Sequence, residues 1–204
     1  MSGDREEILK RVGDALAALP ERTPYPEYDT DLAVTYTKQQ GDPWERFKSM
    51  LSAVNGRAFE SITDLGQWLL ESGYIHGCCD PDLIDRLGAA FPDGLTMETE
   101  FDRTRIDDYA FGITRARAAI AESGTLILDD ATTWQRLAAL APWVHVAVLR
   151  RSDLWCDIPT AVENLGDDPN VIWLTGPSKT ADVEGILIEG VHGPGEQVCL
   201  LVDG

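Results

Sequence analysis

The spacing of apolar residues changes along the chain, from a helical period near the N-terminus to short β-rich runs after residue 72. In residues 4–19 apolar side chains recur every three or four positions, and Pro20 closes the run. This spacing predicts an amphipathic helix. Residues 21–43 follow with several prolines and tyrosines, a composition that fits an extended arm and a poorly ordered linker equally well.

Residues 43–72 predict two more helical pieces. Gly56 separates them, and the Ser61-x-x-Asp64 pattern is typical of the N-terminal cap of the second. We therefore expect residues 1–72 to form a helical N-terminal extension that includes the extended arm.

From residue 73 onward, strand-like runs alternate with helical segments. The runs VHVAVL, VIWL and VCLLV are nearly continuous in apolar residues, as in strands that are buried on both faces. Strict alternation implies right-handed βαβ units, so we expect residues 73–204 to form an α/β domain, a three-layer αβα sandwich. The pattern predicts strands at 74–78, 125–128, 144–149, 171–174 and 197–202, and helices ending at 90 and spanning 112–121, 132–140, 158–165 and 180–189.

The charge balance argues against several classes of partner. The 204 residues include 17 Lys and Arg against 35 Asp and Glu, a net charge of −18 at pH 7. This surplus repels nucleic acid and anionic membrane surfaces, because both bind through clustered Lys and Arg. No apolar run approaches the length of a membrane span, and the first residues lack a signal peptide's apolar run. We expect a cytoplasmic protein without nucleic-acid binding or membrane insertion.

The four cysteines, Cys78, Cys79, Cys156 and Cys199, include no C-x-x-C pair. The usual ligand spacing of a zinc ribbon or an iron–sulfur cluster is therefore missing, and buried thiols are the favoured interpretation. We also find no G-x-S-x-G elbow, no P-loop and no G-x-G-x-x-G opening a βα unit. The sequence predicts no metal site and no cofactor in this chain.

The first candidate site is the junction that follows the predicted strand 171–174. Ligands of open α/β sheets collect at the carboxyl ends of strands, where glycine turns and helix N-termini meet. Here a Gly-Pro turn precedes the predicted helix 180–189, whose first amides and dipole would stabilise an anion. The candidate ligand-binding residues are Gly176, Pro177, Ser178, Lys179, Thr180 and Asp182.

Lys179 is the only Lys or Arg between residues 152 and 204. A cation beside a helix N-terminus opposes the dipole, so its position needs another explanation. Lys179 could neutralise a bound anion. Alternatively, it could pair with Asp182 or Glu184, or be a solvated lysine.

The second candidate site is the turn at residues 122–125, with Gly124 and Thr125 as ligand-binding candidates. Glu122 would lie at the C-terminus of the predicted helix 112–121, where an acid is unfavourable. Two explanations fit this position equally well. Glu122 could have a functional role, or it could be an exposed carboxylate that lowers the stability only slightly.

His192 lies in the glycine- and proline-rich loop 190–195. Loops carry binding groups more often than packed elements do. We include Gly193 in the site and take Glu122 and His192 as the candidate catalytic residues. His145, within an apolar strand, fits a hydrogen-bonded core residue instead.

Three segments of the chain resemble the LUD domain of the lactate-utilization protein C family. Residues 176–184 (GPSKTADVE) and 190–194 (GVHGP) carry the more specific part of the resemblance, and residues 113–114 and 118–126 the rest. With the helical N-terminal portion it covers essentially the whole chain. The family more often has Thr at the position of Ser123 and Arg at that of Lys179. The Lys ammonium is a compact charge and lacks the paired N–H donors with which an Arg guanidinium binds a carboxylate.

The resemblance implies a fold similar to the sugar-phosphate isomerase and CoA-transferase superfamily. It also implies a part in the oxidation of L-lactate to pyruvate, alongside partner proteins that carry iron–sulfur clusters. In the wider superfamily a glutamate near a glycine turn acts as nucleophile or base, and Glu122 resembles it in type and setting.

Our first hypothesis is a component of a lactate-oxidising system that binds a small anionic ligand between the two candidate sites. Lys179 would neutralise the anion, and His192 or Glu122 would move a proton. A second hypothesis is an independent isomerase or acyl-CoA transferase that uses Glu122. A third is a protein-binding scaffold that docks a partner through the aromatic arm, residues 25–44.

Overall fold

The computed structural model describes residues 2–17, 41–166, 170–181 and 186–203. The chain divides into two compact units, residues 1–38 and 39–204. In the first unit, helix α1 (Ser2–Ala17) confirms the first predicted helix, and its side chains from residue 4 onward are exposed. Most of the predicted arm, residues 21–40, lies outside the described residues, as does the candidate ligand residue Asp182.

A six-stranded sheet forms the centre of the second unit, in the order β1-β12-β7-β4-β2-β3. Every neighbouring pair in it is parallel. Its strands are β1 (Arg57–Phe59), β2 (His76–Cys79), β3 (Thr96–Glu98), β4 (Phe111–Arg115), β7 (Val144–Arg150) and β12 (Glu196–Val202). The sequence pattern missed β1, which lies within the predicted extension 1–72 and pairs with β12 at the sheet edge.

A second, mixed sheet has the order β8-β5-β6-β9, and a separate antiparallel hairpin joins β10 to β11. The strands of the second sheet are β5 (Ala118–Ile120), β6 (Thr125–Leu128), β8 (Leu154–Trp155) and β9 (Ile172–Leu174). The hairpin strands are β10 (Lys179–Ala181) and β11 (Leu187–Glu189).

The helices of the second unit are α2 (Pro43–Ala53), α3 (Ile62–Glu71), α4 (Ile84–Gly88), α5 (Arg136–Leu140) and α6 (Ile158–Asn164), with 3₁₀ turns at Arg103–Asp108 and Arg151–Asp153. Ser61 caps α3 as predicted, because its hydroxyl accepts a hydrogen bond from the Asp64 amide. Asp42 caps α2 in the same manner through the Trp44 amide.

Apolar cores lie on both faces of the main sheet. On one face, Leu65 and Leu69 of α3 and Leu87 of α4 pack with strand residues such as Val146 of β7. The alternate strand residues pack with α2 and the second sheet, through Phe47, Leu51, Leu126 and Ala147. This arrangement confirms the three-layer α/β fold, whereas the superfamily assignment stays a prediction.

Two predicted helices are wrong. Residues 112–121 form strands β4 and β5 instead, because this segment is buried beside β2 and β7 in the main sheet and β6 and β8 in the second. Residues predicted as helix 180–189 form the β10–β11 hairpin where described, with Thr180 paired to Ile188. The apolar pattern of a short segment is compatible with both a helix and a strand. Here pairing with neighbouring strands determines that these segments are strands.

Candidate functional site

Two of the predicted segments meet in one cavity of about 260 Å³, which we call the glycine-turn cavity. Its lining includes Gly176, Pro177, Ser178, His192, Gly193 and Gln197. The Ser178 amide donates to the Pro194 carbonyl at 2.8 Å, and the Gly190 amide donates to the Ser178 carbonyl at 2.9 Å. These two bonds hold the predicted 176–178 and 192–193 segments against each other.

Three residues that line the glycine-turn cavity have backbone amides without a hydrogen bond to any described residue. In the described part of the chain, the amides of Gly176, His192 and Gly193 have no hydrogen-bond partner. The His192 side chain is exposed, and Ser178 is half-buried. Free amides near a hydroxyl and an imidazole can bind an oxyanion.

A buried polar chain leads from this cavity into the sheet. Gln197 Oε1 lies 3.0 Å from His145 Nδ1, and His145 Nε2 lies 3.0 Å from Thr114 Oγ1. Burial lowers the pKa of His145 to about 4, so the imidazole is neutral at pH 7. The prediction that His145 is a hydrogen-bonded core residue is confirmed.

Lys179 lies outside the lining of the glycine-turn cavity. Its ammonium donates to the Val54 carbonyl at 2.9 Å and lies 3.6 Å from the Glu189 carboxylate. The expectation that Lys179 and Thr180 begin a helix is wrong, since both belong to strand β10. Lys179 instead places its charge at the C-terminal end of helix α2, where the dipole favours a cation.

Glu122 also differs from the prediction. It follows strand β5, and its carboxylate accepts a hydrogen bond from the Ile158 amide at 2.9 Å. Glu122 therefore lies at the N-terminus of helix α6, where an acid is favourable, and not at a helix C-terminus. It is absent from the lining of the glycine-turn cavity.

Thr125 is connected to the glycine-turn cavity through one residue. Its hydroxyl lies 2.8 Å from the Thr175 hydroxyl, and Thr175 lines the cavity. Thr125 is buried and also contacts the Ser123 hydroxyl at 2.7 Å. The structure thus brings Thr125 of the second candidate site close to the first, at Thr175, but Thr125 itself is buried.

Gly124 and Gly176 have a packing role against helix α2. Both have a left-handed backbone, with φ of +66° and +79°. A Cβ on Gly124 would lie 2.4 Å from the Leu51 nitrogen, and one on Gly176 would lie 2.5 Å from the Val54 oxygen. Only glycine permits these close approaches of the two turns to α2.

A larger cavity, of about 710 Å³, lies at the opposite edge of the main sheet. Gln197 is the second residue of β12, so the glycine-turn cavity is at the amino edge. Arg115, Arg150 and Val202, which end β4, β7 and β12, line the larger cavity at the carboxyl edge. We call it the arginine cavity, because its lining includes Arg86, Arg115, Arg117 and Arg150.

Buried acids hold two of these arginines in place. Asp80, at 1% exposure, accepts from Arg115 Nε at 2.7 Å, and Asp82 lies 3.0 Å from Arg115 Nη1. Asp129, also buried, lies 3.4 Å from Arg117 Nε. The guanidinium groups are therefore fixed at the edge where ligands of parallel sheets bind.

The arginine cavity was not predicted from the sequence, although two of its arginines directly follow or end apolar strand segments. Arg150 directly follows the run VHVAVL, and Arg115 ends β4. Because residues 112–121 were predicted as a helix, the carboxyl end of β4 was not recognised.

Three of the four cysteines, Cys78, Cys79 and Cys199, are buried as predicted, whereas Cys156 is exposed, so the expectation of a buried thiol is wrong there. Among the described residues, no group of three or more His, Cys, Asp or Glu is arranged to hold a metal ion. Burial raises the pKa of both Cys78 and Cys79 to about 12, and it also raises the pKa of Cys199. No helix of the described chain combines the length and apolar character needed to cross a bilayer.

Comparison with known proteins decides the family. The sequence profile of the LUD domain matches residues 61–202. The chain belongs to the LUD domain family. The match includes every predicted site residue and the arginines that line the larger cavity.

Curated relatives of this LUD chain match over part of their length. A lactate utilization protein C of Deinococcus radiodurans is 33% identical over 107 residues, 50% of each chain. The Bacillus subtilis lactate utilization protein C is 32% identical over 99 residues, 45% of this chain and 41% of that one. An uncharacterized protein of Neisseria meningitidis is 37% identical over 112 residues, 52% of this chain and 46% of that one. The chain thus spans about half the length of the relatives it matches.

A solved structure supports the fold. The crystal structure of a DUF162 family protein from Deinococcus radiodurans matches with a TM-score of 0.58 at 22% identity. The match covers 78% of this chain and 96% of that one.

Proposed function

We propose that this LUD chain is a component of a lactate-utilization system and binds a small organic anion at the carboxyl edge of its main sheet. The pathway assignment is supported by several relatives named lactate utilization protein C, at 32–33% identity in the Deinococcus and Bacillus proteins. The anion-binding assignment is supported by one observation, the four arginines that line the cavity at this edge.

Charge and position both favour an anion in the arginine cavity. In a chain with a net charge of −18, four guanidinium groups line one cavity together with only two acids, Asp82 and Asp153. Arginine binds carboxylates and phosphates through paired N–H donors, and a fixed guanidinium loses less entropy on binding. The cavity also lies where parallel α/β sheets bind their ligands.

Calorimetry with L-lactate and pyruvate tests this proposal. We expect binding to the wild-type chain, and at least a tenfold loss of affinity in Arg150→Gln. Arg46→Gln is the matched control, because Arg46 is exposed on helix α2 and its removal changes the net charge equally. Failure of both acids to bind would remove lactate and pyruvate as ligands of this cavity, and equal binding by both variants would remove the site assignment.

The glycine-turn cavity is a second position for the anion. It is favoured by the unpartnered amides of Gly176, His192 and Gly193, and its volume suits a three-carbon acid. Ser178 would donate a hydrogen bond, and His192 would supply the proton or the positive charge. In the same calorimetry, a loss of binding in His192→Ala with Arg150→Gln unchanged would assign the ligand to this cavity.

The partners that we propose are iron–sulfur proteins of lactate utilization, because lactate oxidation requires an electron acceptor. Affinity purification of the tagged chain from lactate-grown cells tests this assignment. We expect iron-containing proteins, identified by absorbance and mass spectrometry, to be retained. Normal growth on lactate of a strain that lacks the gene would contradict the pathway assignment.

The isomerase or acyl-CoA-transferase alternative has less support. The Glu122 carboxylate accepts a hydrogen bond from Ile158 and is absent from the lining of both cavities. A covalent adduct on Glu122 after incubation with acyl-CoA, detected by mass spectrometry, would restore it.

A further inference from the structure

The four arginines of the arginine cavity differ in their partners. Arg115 and Arg117 form ion pairs with Asp80, Asp82 and Asp129. Among residues 41–166, 170–181 and 186–203, Arg86 has one hydrogen-bond acceptor, the backbone carbonyl of Asp203, at 3.2 Å. The Arg150 guanidinium has no hydrogen-bond or ion-pair partner among the described residues.

Within the part of the chain that the structure describes, two positive charges of this cavity, those of Arg86 and Arg150, therefore have no carboxylate partner. They come from different elements, Arg86 from helix α4 and Arg150 from the end of strand β7. A ligand with one negative group would leave one of the two without an anionic partner. A ligand with two negative groups could pair with both.

The remaining lining and the volume also fit a ligand larger than lactate. Leu83, Ala116 and Val148 also line the cavity and contribute aliphatic surface. The volume of about 710 Å³ is within the range of ordinary organic-ligand sites and exceeds what a three-carbon acid fills.

We infer that the arginine cavity binds a small organic dianion, whose two carboxylate or phosphate groups are joined by a carbon skeleton. The inference rests on the proposed function, because it names the ligand class of the same site. Arg86 and Arg150 each bind one negative group. Arg115 and Arg117, held by their aspartates, supply their remaining N–H donors.

Calorimetry with a series of anions tests the number of negative groups. The probes are L-lactate with one group, malonate, succinate and glutarate with two carboxylates at increasing separation, and glycerol 3-phosphate. We expect at least one two-group probe to bind tenfold or more tightly than L-lactate. Raising the salt concentration should weaken its binding more than that of lactate, because more charge is neutralised.

Four variants identify the charges involved. Arg86→Gln and Arg150→Gln should each remove the tenfold preference for the two-group probe, whereas the control Arg46→Gln should keep it. Asp153→Asn should tighten binding of that probe, because it removes a lining acid. Thermal unfolding of each variant shows whether it is folded before it is titrated.

The outcomes separate this inference from the proposed function. If L-lactate binds and depends on Arg150, but no two-group probe binds more tightly, only the dianion inference is overturned. If a two-group probe binds tightly and keeps its affinity in both Arg86→Gln and Arg150→Gln, the inference is also overturned. If no probe binds at all, the proposed anion site fails together with it.

Discussion

The ammonium group of Lys179 lies 2.9 Å from the backbone carbonyl oxygen of Val54, at the C-terminal end of helix α2. This contact joins strand β10 to a helix 125 positions earlier in the chain. It gives the lone cation of residues 152–204 a stabilising role, because carbonyls at a helix C-terminus lack intrahelical donors.

We expect Lys179→Met to lower the free energy of unfolding by about 1 kcal/mol, since a charge-assisted hydrogen bond at a helix end is lost. Lys179→Arg should retain most of the stability, because its guanidinium can also donate to the carbonyl. Urea unfolding of the three proteins measures the difference. Unchanged stability combined with lost anion binding in Lys179→Met would restore Lys179 as a ligand-binding residue.

A second prediction concerns the close contact of Gly124 with helix α2. Gly124→Ala should destabilise the chain by about 3 kcal/mol or more, because the new methyl group would lie 2.4 Å from the Leu51 nitrogen in a left-handed backbone. Gly73→Ala is the matched control. Its φ is also positive, at +80°, but nothing lies within 4 Å of the added Cβ. It should cost only about 1 kcal/mol.

Thermal and urea unfolding of the two alanine variants separate backbone strain from steric overlap. If Gly124→Ala and Gly73→Ala lower the free energy of unfolding equally, steric overlap with α2 contributes little to the effect of the Gly124 substitution. A larger loss at Gly124 would show that the turn at residues 122–125 is fixed by packing.

The sequence pattern predicted the central strands because their apolar residues are continuous. Strands β7 and β12 are almost entirely buried, and both confirm their predicted positions. The three-residue strand β1 has the sequence Arg-Ala-Phe, which has no strand signal of its own, and it forms only by pairing with β12. Short elements of this kind depend on contacts distant in sequence.

The candidate site was predicted only in part for the same reason. The glycine and proline residues at 176–178 and 192–195 predicted turns, and the structure places them together. The carboxyl-edge rule was applied to β9, which belongs to the second sheet and not to the parallel one. Sheet membership is a tertiary property, so the edge that holds the arginines could be recognised only from the strand order.

A third prediction follows from the two aspartates that contact Arg115. Asp80→Asn should lower the unfolding free energy by about 2 kcal/mol, because the Asp80 carboxylate is almost completely buried and its charge-assisted hydrogen bond to Arg115 would be lost. Asp82→Asn should change it by less than about 0.5 kcal/mol, because the Asp82 side chain is 69% exposed. Urea unfolding at pH 7 compares the two variants, and equal effects would contradict the structural role of Asp80.

A fourth prediction is a loss of stability at mildly acidic pH that depends on His145. Burial holds the pKa of the folded imidazole at about 4, below the ordinary value of 6.5. As the pH falls below 6.5, the unfolded chain takes up a proton that the folded chain does not bind until the pH approaches 4. This group therefore lowers the unfolding free energy progressively between pH 6.5 and 4, by about 3 kcal/mol in all.

The measurement is urea unfolding of the wild type and of His145→Gln at several values of pH between 7 and 4. Glutamine does not titrate, and it can still hydrogen-bond to Gln197 or Thr114, the two partners of the imidazole. The variant should be less stable than the wild type at pH 7, but its stability should fall less steeply toward pH 4. Parallel pH profiles of the two proteins would show that His145 titrates normally, and that the polar chain behind the glycine-turn cavity is accessible to water.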